Sequence, residues 1–203
     1  ETLKKYLWSK IVIEKIRNQA KVLELASLSG YDQIMSFAQK VKLNDKDNME
    51  AVAAAQYFKY LVGSGFSRGQ DTVTNARLNY GYAIIRGLVC RSLTVYGLEP
   101  ALGIHHHSQL NAFNLADDIM EVFRPVVDLC VYQMQEKERD FLTTEDKQIL
   151  YHLISCDVLF GTQKHPLFYG VEKTVQTFQS SIVAGEDQLK LCAILPLRQH
   201  EYE

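Results

Sequence analysis

The chain has 203 residues, 47% of them hydrophobic and 23% charged, with a formal net charge of −2 and a pI near 6.3. These values suit one generous domain or two small ones and argue against a protein coated in basic surface, so any nucleic-acid role rests on local patches or on a portion outside this sequence. No apolar run reaches the ~18 residues of a membrane span and no secretory signal opens the chain, while Cys90, Cys130, Cys156 and Cys192, without a Cys-x-x-Cys pair, suit reduced thiols of a cytoplasmic protein.

Thr2 to Leu28 reads as one long helix. Leu3, Leu7, Ile11, Val12, Ile16, Ala20 and Leu23 recur at helical spacing with no Gly or Pro between them. Lys4, Lys5, Lys10, Lys15, Arg17 and Lys21 outnumber its acids and are expected to form a solvated face. Ser29-Gly30 should end the helix. A short helix follows over Tyr31 to Val41, then a polar loop over Asn44 to Asn48 whose end caps a third helix, Met49 to Val62. Glu50 lies in that helix's first turn, where it either complements the helix dipole or supplies a metal ligand from across the fold.

The segment Gly63-Ser-Gly-Phe-Ser-Arg-Gly-Gln70 is glycine-rich. It lacks a Gly-Lys-Ser/Thr ending and a preceding strand, so it reads as a flexible surface loop rather than a phosphate loop. The next helix runs from Asp71 to about Tyr96 and carries Asn79, Tyr82 and Arg86 on one face. Either this is a half-buried polar edge or a stripe that faces phosphate or carboxylate. Gly97 ends it.

Gly103 to Pro125 is the densest chemistry in the chain: three histidines, His105, His106 and His107, then a helix from about Ala112 carrying Asp117, Asp118 and Glu121. Acids three or four apart share a helix face. A His on the approach to a helix and carboxylates one turn inside it can converge on a divalent cation such as Mn²⁺, Mg²⁺ or Zn²⁺. The plain alternative is a solvated loop and a helix start that favours acids.

Pro125 should kink this helix, which continues to about Gln135. Glu136 to Asp140 reads as a solvated helix end. Thr144 is the expected cap of a helix through about Phe160, Gly161 to Gly170 a loop, and Val171 to Ala184 the final long helix. Leu189 to Ile194 resumes helix before a loose tail from about residue 195. No stretch alternates convincingly as a strand, so the expected fold is all-α, in one helical catalytic domain over residues 1–203.

Three segments in combination, NMEAVAAAQYF, LNYGYAIIRG and ALGIHHHSQLNAFNLADDIMEVFRPVVD, resemble the CRISPR-associated integrase (Cas-one), the adaptation endonuclease that inserts new spacers. They are most similar to the forms that accompany single-protein effectors. The resemblance implies a helical catalytic domain whose Mg²⁺ or Mn²⁺ is held by Glu50, His106 and Glu121. His105 and His107 are the competing registers for the histidine. It assigns supporting positions to Asp118, Asn79, Tyr82 and Arg86. It also implies joining of a DNA 3′-hydroxyl to a repeat phosphodiester. The partners would be prespacer and repeat duplex DNA, a second copy of the chain, the small second adaptation protein (Cas-two) and the effector nuclease, with no membrane.

Relatives of this kind have a β-rich domain of about a hundred residues ahead of the helical one, the size of a small domain. Here the chain opens on Glu1 with no such segment, so the expectation is the helical half alone. The competing reading from another class is an inert helical scaffold or dimerisation fragment. A di-iron bundle is disfavoured because no Glu-x-x-His occurs.

Overall fold

Helix α1 (Thr2–Leu25) runs through the middle of the molecule in a computed structural model that describes residues 1–134 and 140–202. Its apolar residues Leu7, Trp8, Ile11, Val12, Ile16, Ala20, Val22 and Leu23 are buried, and so are its polar residues Lys15, Asn18 and Gln19. A helix buried over most of its circumference is a core element rather than a surface one. The solvated basic face is thereby corrected for Lys15, which is only 5% exposed, while Lys4 and Arg17 do face solvent. The helix ends at Ser27, which takes the left-handed turn (φ 55°) as Leu28 N–H returns to Leu23 O at 2.8 Å. Gly30 instead opens α2 (Tyr31–Ala38). Its φ is +104°, and a Cβ there would lie 2.5 Å from the Tyr60 ring.

α3 (Met49–Leu61) is capped from a distance: the Asp45 carboxylate accepts the N–H groups of Met49 at 2.8 Å and Glu50 at 2.9 Å, while Asn48 makes no side-chain cap. This fixes the first turn of α3 and therefore where Glu50 starts. α4 (Val73–Val95) is capped by Thr72, whose hydroxyl accepts Asn75 N–H at 3.2 Å. α5 (Asn114–Met120) passes through one 3-10 turn, Glu121–Phe123, into α6 (Arg124–Gln133). Pro125 sits in the first turn of α6, where its missing N–H would have had no partner. α4 packs on α6 closely enough that a Cβ on Gly81 would overlap the Val127 side chain.

α7 (Thr144–His152) opens on a capping box between Thr143 and Asp146, and α8 (Leu167–Ala184) ends at Gly185 with φ 73°. The expected solvated run 136–140 lies, up to residue 139, outside the described residues.

The all-α expectation is overturned by a three-stranded antiparallel sheet of β1 (Cys156–Phe160), β2 (Gln163–Pro166) and β3 (Cys192–Gln199), in the order β2-β1-β3. β1 takes the end of what read as one helix to Phe160. β2 lies inside the expected loop, joined to β1 by a turn at Gly161 (φ 63°). β3 occupies the segment expected to resume as helix and then loosen, so residues 195–199 are strand. β1 and β2 are too short for a period of two to stand out, and Pro196 masks β3. Pro196 is tolerated because β3 is an edge strand whose register slips opposite Cys156 and Val158. Gly170 of α8 lets that helix lie on the sheet, since a Cβ there would sit 2.6 Å from Val158. Asn18 of α1 joins sheet to helices: its amide donates to Val122 O and Cys192 O, both at 3.0 Å, and accepts Ile194 N–H at 3.0 Å.

Candidate functional site

Glu50 and Glu121, far apart in sequence, meet at one point. The Lys15 ammonium hydrogen-bonds Glu50 Oε1 and Glu121 Oε2 together. The second oxygen of Glu121 forms an ion pair with Arg124 Nε at 2.7 Å. Glu121 is 6% exposed and Lys15 5%. Burial pushes the Glu121 carboxyl up, but Lys15 and Arg124 outweigh it and hold the pKa below its ordinary value. Burial pushes Lys15 down, and Glu121 and Glu50 reverse the sign, leaving it raised.

The three histidines separate into three environments. His105 stacks on Trp8, ring centroids 4.2 Å apart and planes within 6°. His106 Nδ1 lies 2.6 Å from Asp118 Oδ1. His107 is exposed. Asp118, fully buried, also accepts the backbone N–H groups of Ile104 at 2.7 Å, His105 at 3.0 Å and His106 at 3.2 Å. Asn114, one turn before it, donates to Ala101 O at 3.1 Å and Ser108 O at 2.9 Å. These two side chains of α5 hold the loop over its own helix. Gly103 is needed there because a Cβ would run into the His106 carbonyl. With Nδ1 bound to Asp118, Nε2 is the ring nitrogen left for a ligand, the usual arrangement behind metal-binding histidines. The Asp118 hydrogen bond raises the His106 pKa against the opposing effect of burial, and the charge of Glu121 adds to it.

A cavity of about 270 Å³ opens on Lys15, Gln19, Glu50, Glu121, Arg124 and Asp128. Gln19 Oε1, on the turn of α1 after Lys15, is buried in its wall with no hydrogen-bond partner among the described residues. A second cavity of about 270 Å³ shares Arg68, Tyr82 and Arg124 and adds Asn79, Arg86 and Asp117. The Tyr82 ring carries two guanidinium groups, Arg124 at 4.6 Å and Arg68 at 5.3 Å. Its hydroxyl donates to buried Asp128, as does that of Tyr57 at 3.1 Å. Burial raises the Asp128 carboxyl to about 6 although both tyrosine bonds oppose this. Asn79 accepts Arg68 Nη2 at 2.7 Å; Arg86 packs on Phe113 at 4.9 Å and lies 3.9 Å from Asp117. A larger cavity of about 720 Å³, along the sheet by Asp157, Arg198 and His200, shares no residue with this centre.

The structure therefore gathers Glu50 and Glu121 on one ammonium, and puts His106 near enough to Glu121 for each to shift the other's pKa. Asp118 lies behind His106 as its anchor, and Asn79, Tyr82 and Arg86 line the adjoining cavity. No group of three His, Cys, Asp or Glu closes around one point among the described residues. Lys15 stands between the two acids and His106 is tied to Asp118. Carboxylates and an imidazole are donor types that a divalent cation takes, but the described residues do not close them into one set. The sequence alone does not single out Lys15, Gln19, Arg124 or Asp128 for this centre. For Lys15 and Gln19 a signal existed, polar residues one turn apart on a helix otherwise apolar on that side.

The family profile described as "CRISPR associated protein Cas1" matches residues 2–152. A CRISPR-associated endonuclease Cas1 of Neisseria meningitidis serogroup C (strain 8013) is 42% identical over 100% of this chain and 68% of its own length. Among solved structures, a casposase bound to integration product superposes with TM-score 0.73 at 17% identity, covering 91% of this chain and 63% of its own. TM1797, a Cas1 protein from Thermotoga maritima, does so with TM-score 0.75 at 16% identity, covering 92% and 67%. These matches correct the expectation of a helical half that lacks a β-rich domain. They run over nearly all of this chain, and where the sequence starts is no measure of what the fold includes. The matched profile covers most of the chain and the Neisseria relative all of it: the chain belongs to the CRISPR-associated Cas1 family.

Proposed function

We propose that this chain carries the catalytic centre of a divalent-metal-dependent DNA endonuclease and integrase of CRISPR spacer acquisition. The observation that supports this most is the convergence of Glu50 and Glu121 on a single positive nitrogen, beside a cavity lined by guanidinium groups. Glu50, His106 and Glu121 would hold Mg²⁺ or Mn²⁺, and the imidazole favours Mn²⁺. When bound, such an ion polarises the phosphate under attack and lowers the pKa of the attacking 3′-hydroxyl. The protein's own part is positional. Asp118 keeps the His106 ring turned so that Nε2 is free. Arg68 and Arg124, braced on Tyr82, offer forked donors to phosphate oxygens. Arg86 and Asn79 extend that polar wall along the DNA backbone, giving affinity without base reading. Duplex DNA, a second copy of the chain, Cas-two and the effector nuclease are the partners this reading brings with it.

One observation favours the inert-scaffold reading: the two acids are already neutralised by Lys15, with no closed set of three metal donors among the described residues. Strand-transfer assays with labelled duplex DNA separate the two. Glu50→Gln and Glu121→Gln in the full chain should each lower product by about 100-fold or more, beyond the range seen for residues that only support a metal ligand. Chelation by EDTA should do the same to the unaltered protein. Full product from either variant removes that residue from the mechanism.

A further inference from the structure

A further cavity, of about 350 Å³, is lined by Trp8 and His105 together with Asn44, Lys46, Asn48 and Glu50. Glu50 also lines the cavity it shares with Glu121 and Arg124, so the two spaces meet at that carboxylate. Pockets for small ligands start at about 300 Å³, so this one takes a single flat heterocycle and not a duplex. Its aromatic part is preformed. The His105 ring lies on Trp8, centroids 4.2 Å apart and planes within 6°, and remains exposed. Trp8 is 2% exposed, and its indole N–H is buried with no hydrogen-bond partner among the described residues.

The polar part comes from the loop before α3. Asn48 occupies the N-cap position without capping, because the Asp45 carboxylate takes the N–H groups of Met49 and Glu50. Its amide is thereby spared. Asn44 is held through its backbone, whose N–H donates to Ser9 Oγ at 2.7 Å. Asn44, Asp45 and Asn48 all take the left-handed backbone, with φ 61°, 47° and 53°. In residues other than glycine such conformations persist only where the surroundings impose them, and they gather at ligand clamps. From this arrangement we infer that the pocket binds one unstacked nucleobase of a DNA strand whose backbone lies in the adjoining arginine-lined cavity. The base stacks on the exposed His105 ring, as bases do on aromatic platforms. The amides of Asn44 and Asn48 each offer donors and an acceptor, which match the N6 donor and N7 acceptor of adenine. The Trp8 indole N–H is a further donor, and Lys46 supplies a cation for the neighbouring phosphate. A base inside a duplex is out of reach, so the pocket takes one from a frayed end or a single-stranded overhang. The inference rests on the DNA reading proposed above.

Trp8 is the sole tryptophan of the chain, so intrinsic indole fluorescence reports on this pocket alone. The full chain is titrated with a short oligo-dA strand and with an abasic strand of equal length, which has the same phosphates and no bases. Anisotropy of an end label follows the binding of each. The oligo-dA strand should change Trp8 emission saturably and bind about tenfold more tightly than the abasic one, the lower end of what one stacked base contributes. The abasic strand should leave the emission unmoved. Asn44→Gly combined with Asn48→Gly removes both amides and suits the left-handed backbone, so the melting temperature should hold. That variant should lose most of the preference for oligo-dA and bind the abasic strand as before. Equal affinity for the two strands, or an unaltered preference in the variant, overturns the pocket and leaves the DNA reading standing. Binding of neither strand overturns both. The comparison of strands in the unaltered protein decides even if the variant fails to fold.

Discussion

His106 and its two neighbours differ by environment rather than by residue type. His105 is committed to a stack with Trp8 and His107 to solvent, whereas Asp118 orients His106 and leaves Nε2 free. His106→Ala should therefore weaken Mn²⁺ binding more than His105→Ala or His107→Ala, as measured by titration calorimetry. The reverse ranking would move the ligand to a neighbouring position. Asp128 offers a second test at this scale. Its carboxyl is raised from 3.8 to about 6 by burial, so the neutral form is the one the fold prefers. A raised folded pKa adds stability that is complete below 3.8 and lost as pH rises to about 6. The full shift corresponds to about 3 kcal/mol at most. Asp128→Asn stays neutral throughout. Its stability relative to the unaltered protein should therefore rise by up to that amount between pH 3.8 and 6, read from urea unfolding at each end. A constant difference would mean that folding does not shift the Asp128 carboxyl.

At the scale of elements, the centre depends on α1 for Lys15 and Gln19, on α3 for Glu50, and on the turn between α5 and α6 for Glu121. None of these helices carries a site alone. Asp45 fixes the start of α3, and Asn114 with Asp118 fixes the histidine loop onto α5. The loop's tightest point is Gly103, where a Cβ would meet the His106 carbonyl and approach Asp118 Oδ2 at 2.9 Å. Gly103→Ala should displace the loop without disturbing the core beneath it. The expected result is a 10- to 100-fold loss of Mn²⁺ affinity, the range seen when support behind a metal ligand is removed. Thermal unfolding should move little. A large drop in melting temperature with metal affinity intact would show that the loop matters to the fold instead.

For the molecule as a whole, a net charge of −2 leaves no general attraction for DNA, so the proposed DNA binding would have to come from where the cations are concentrated. Arg68, Arg86 and Arg124 line two adjoining cavities around Tyr82. Arg68→Ala should weaken binding to duplexes of any sequence about equally and lower the slope of log affinity against log salt by about 1. A sequence-dependent loss would mean that Arg68 reads bases. Salt titrations of fluorescence anisotropy on two unrelated duplexes suffice to decide.

The helices were legible because each carries a long run at one period: α1, α3, α4 and α8 announce themselves by apolar spacing. The residue types of a candidate centre were legible too, since Glu50, the three histidines and Glu121 stand out in helical and loop segments where apolar residues dominate. The sheet was not, because β1 and β2 are short and Pro196 interrupts β3, so a period of two never accumulates. Nor could any local pattern show that Lys15 crosses from α1 to sit between two acids, or that Asp128 anchors the tyrosine under two arginines. Periodicity reports which face of a helix is buried. Only the packing of three helices against one another decides what a buried charge finds there.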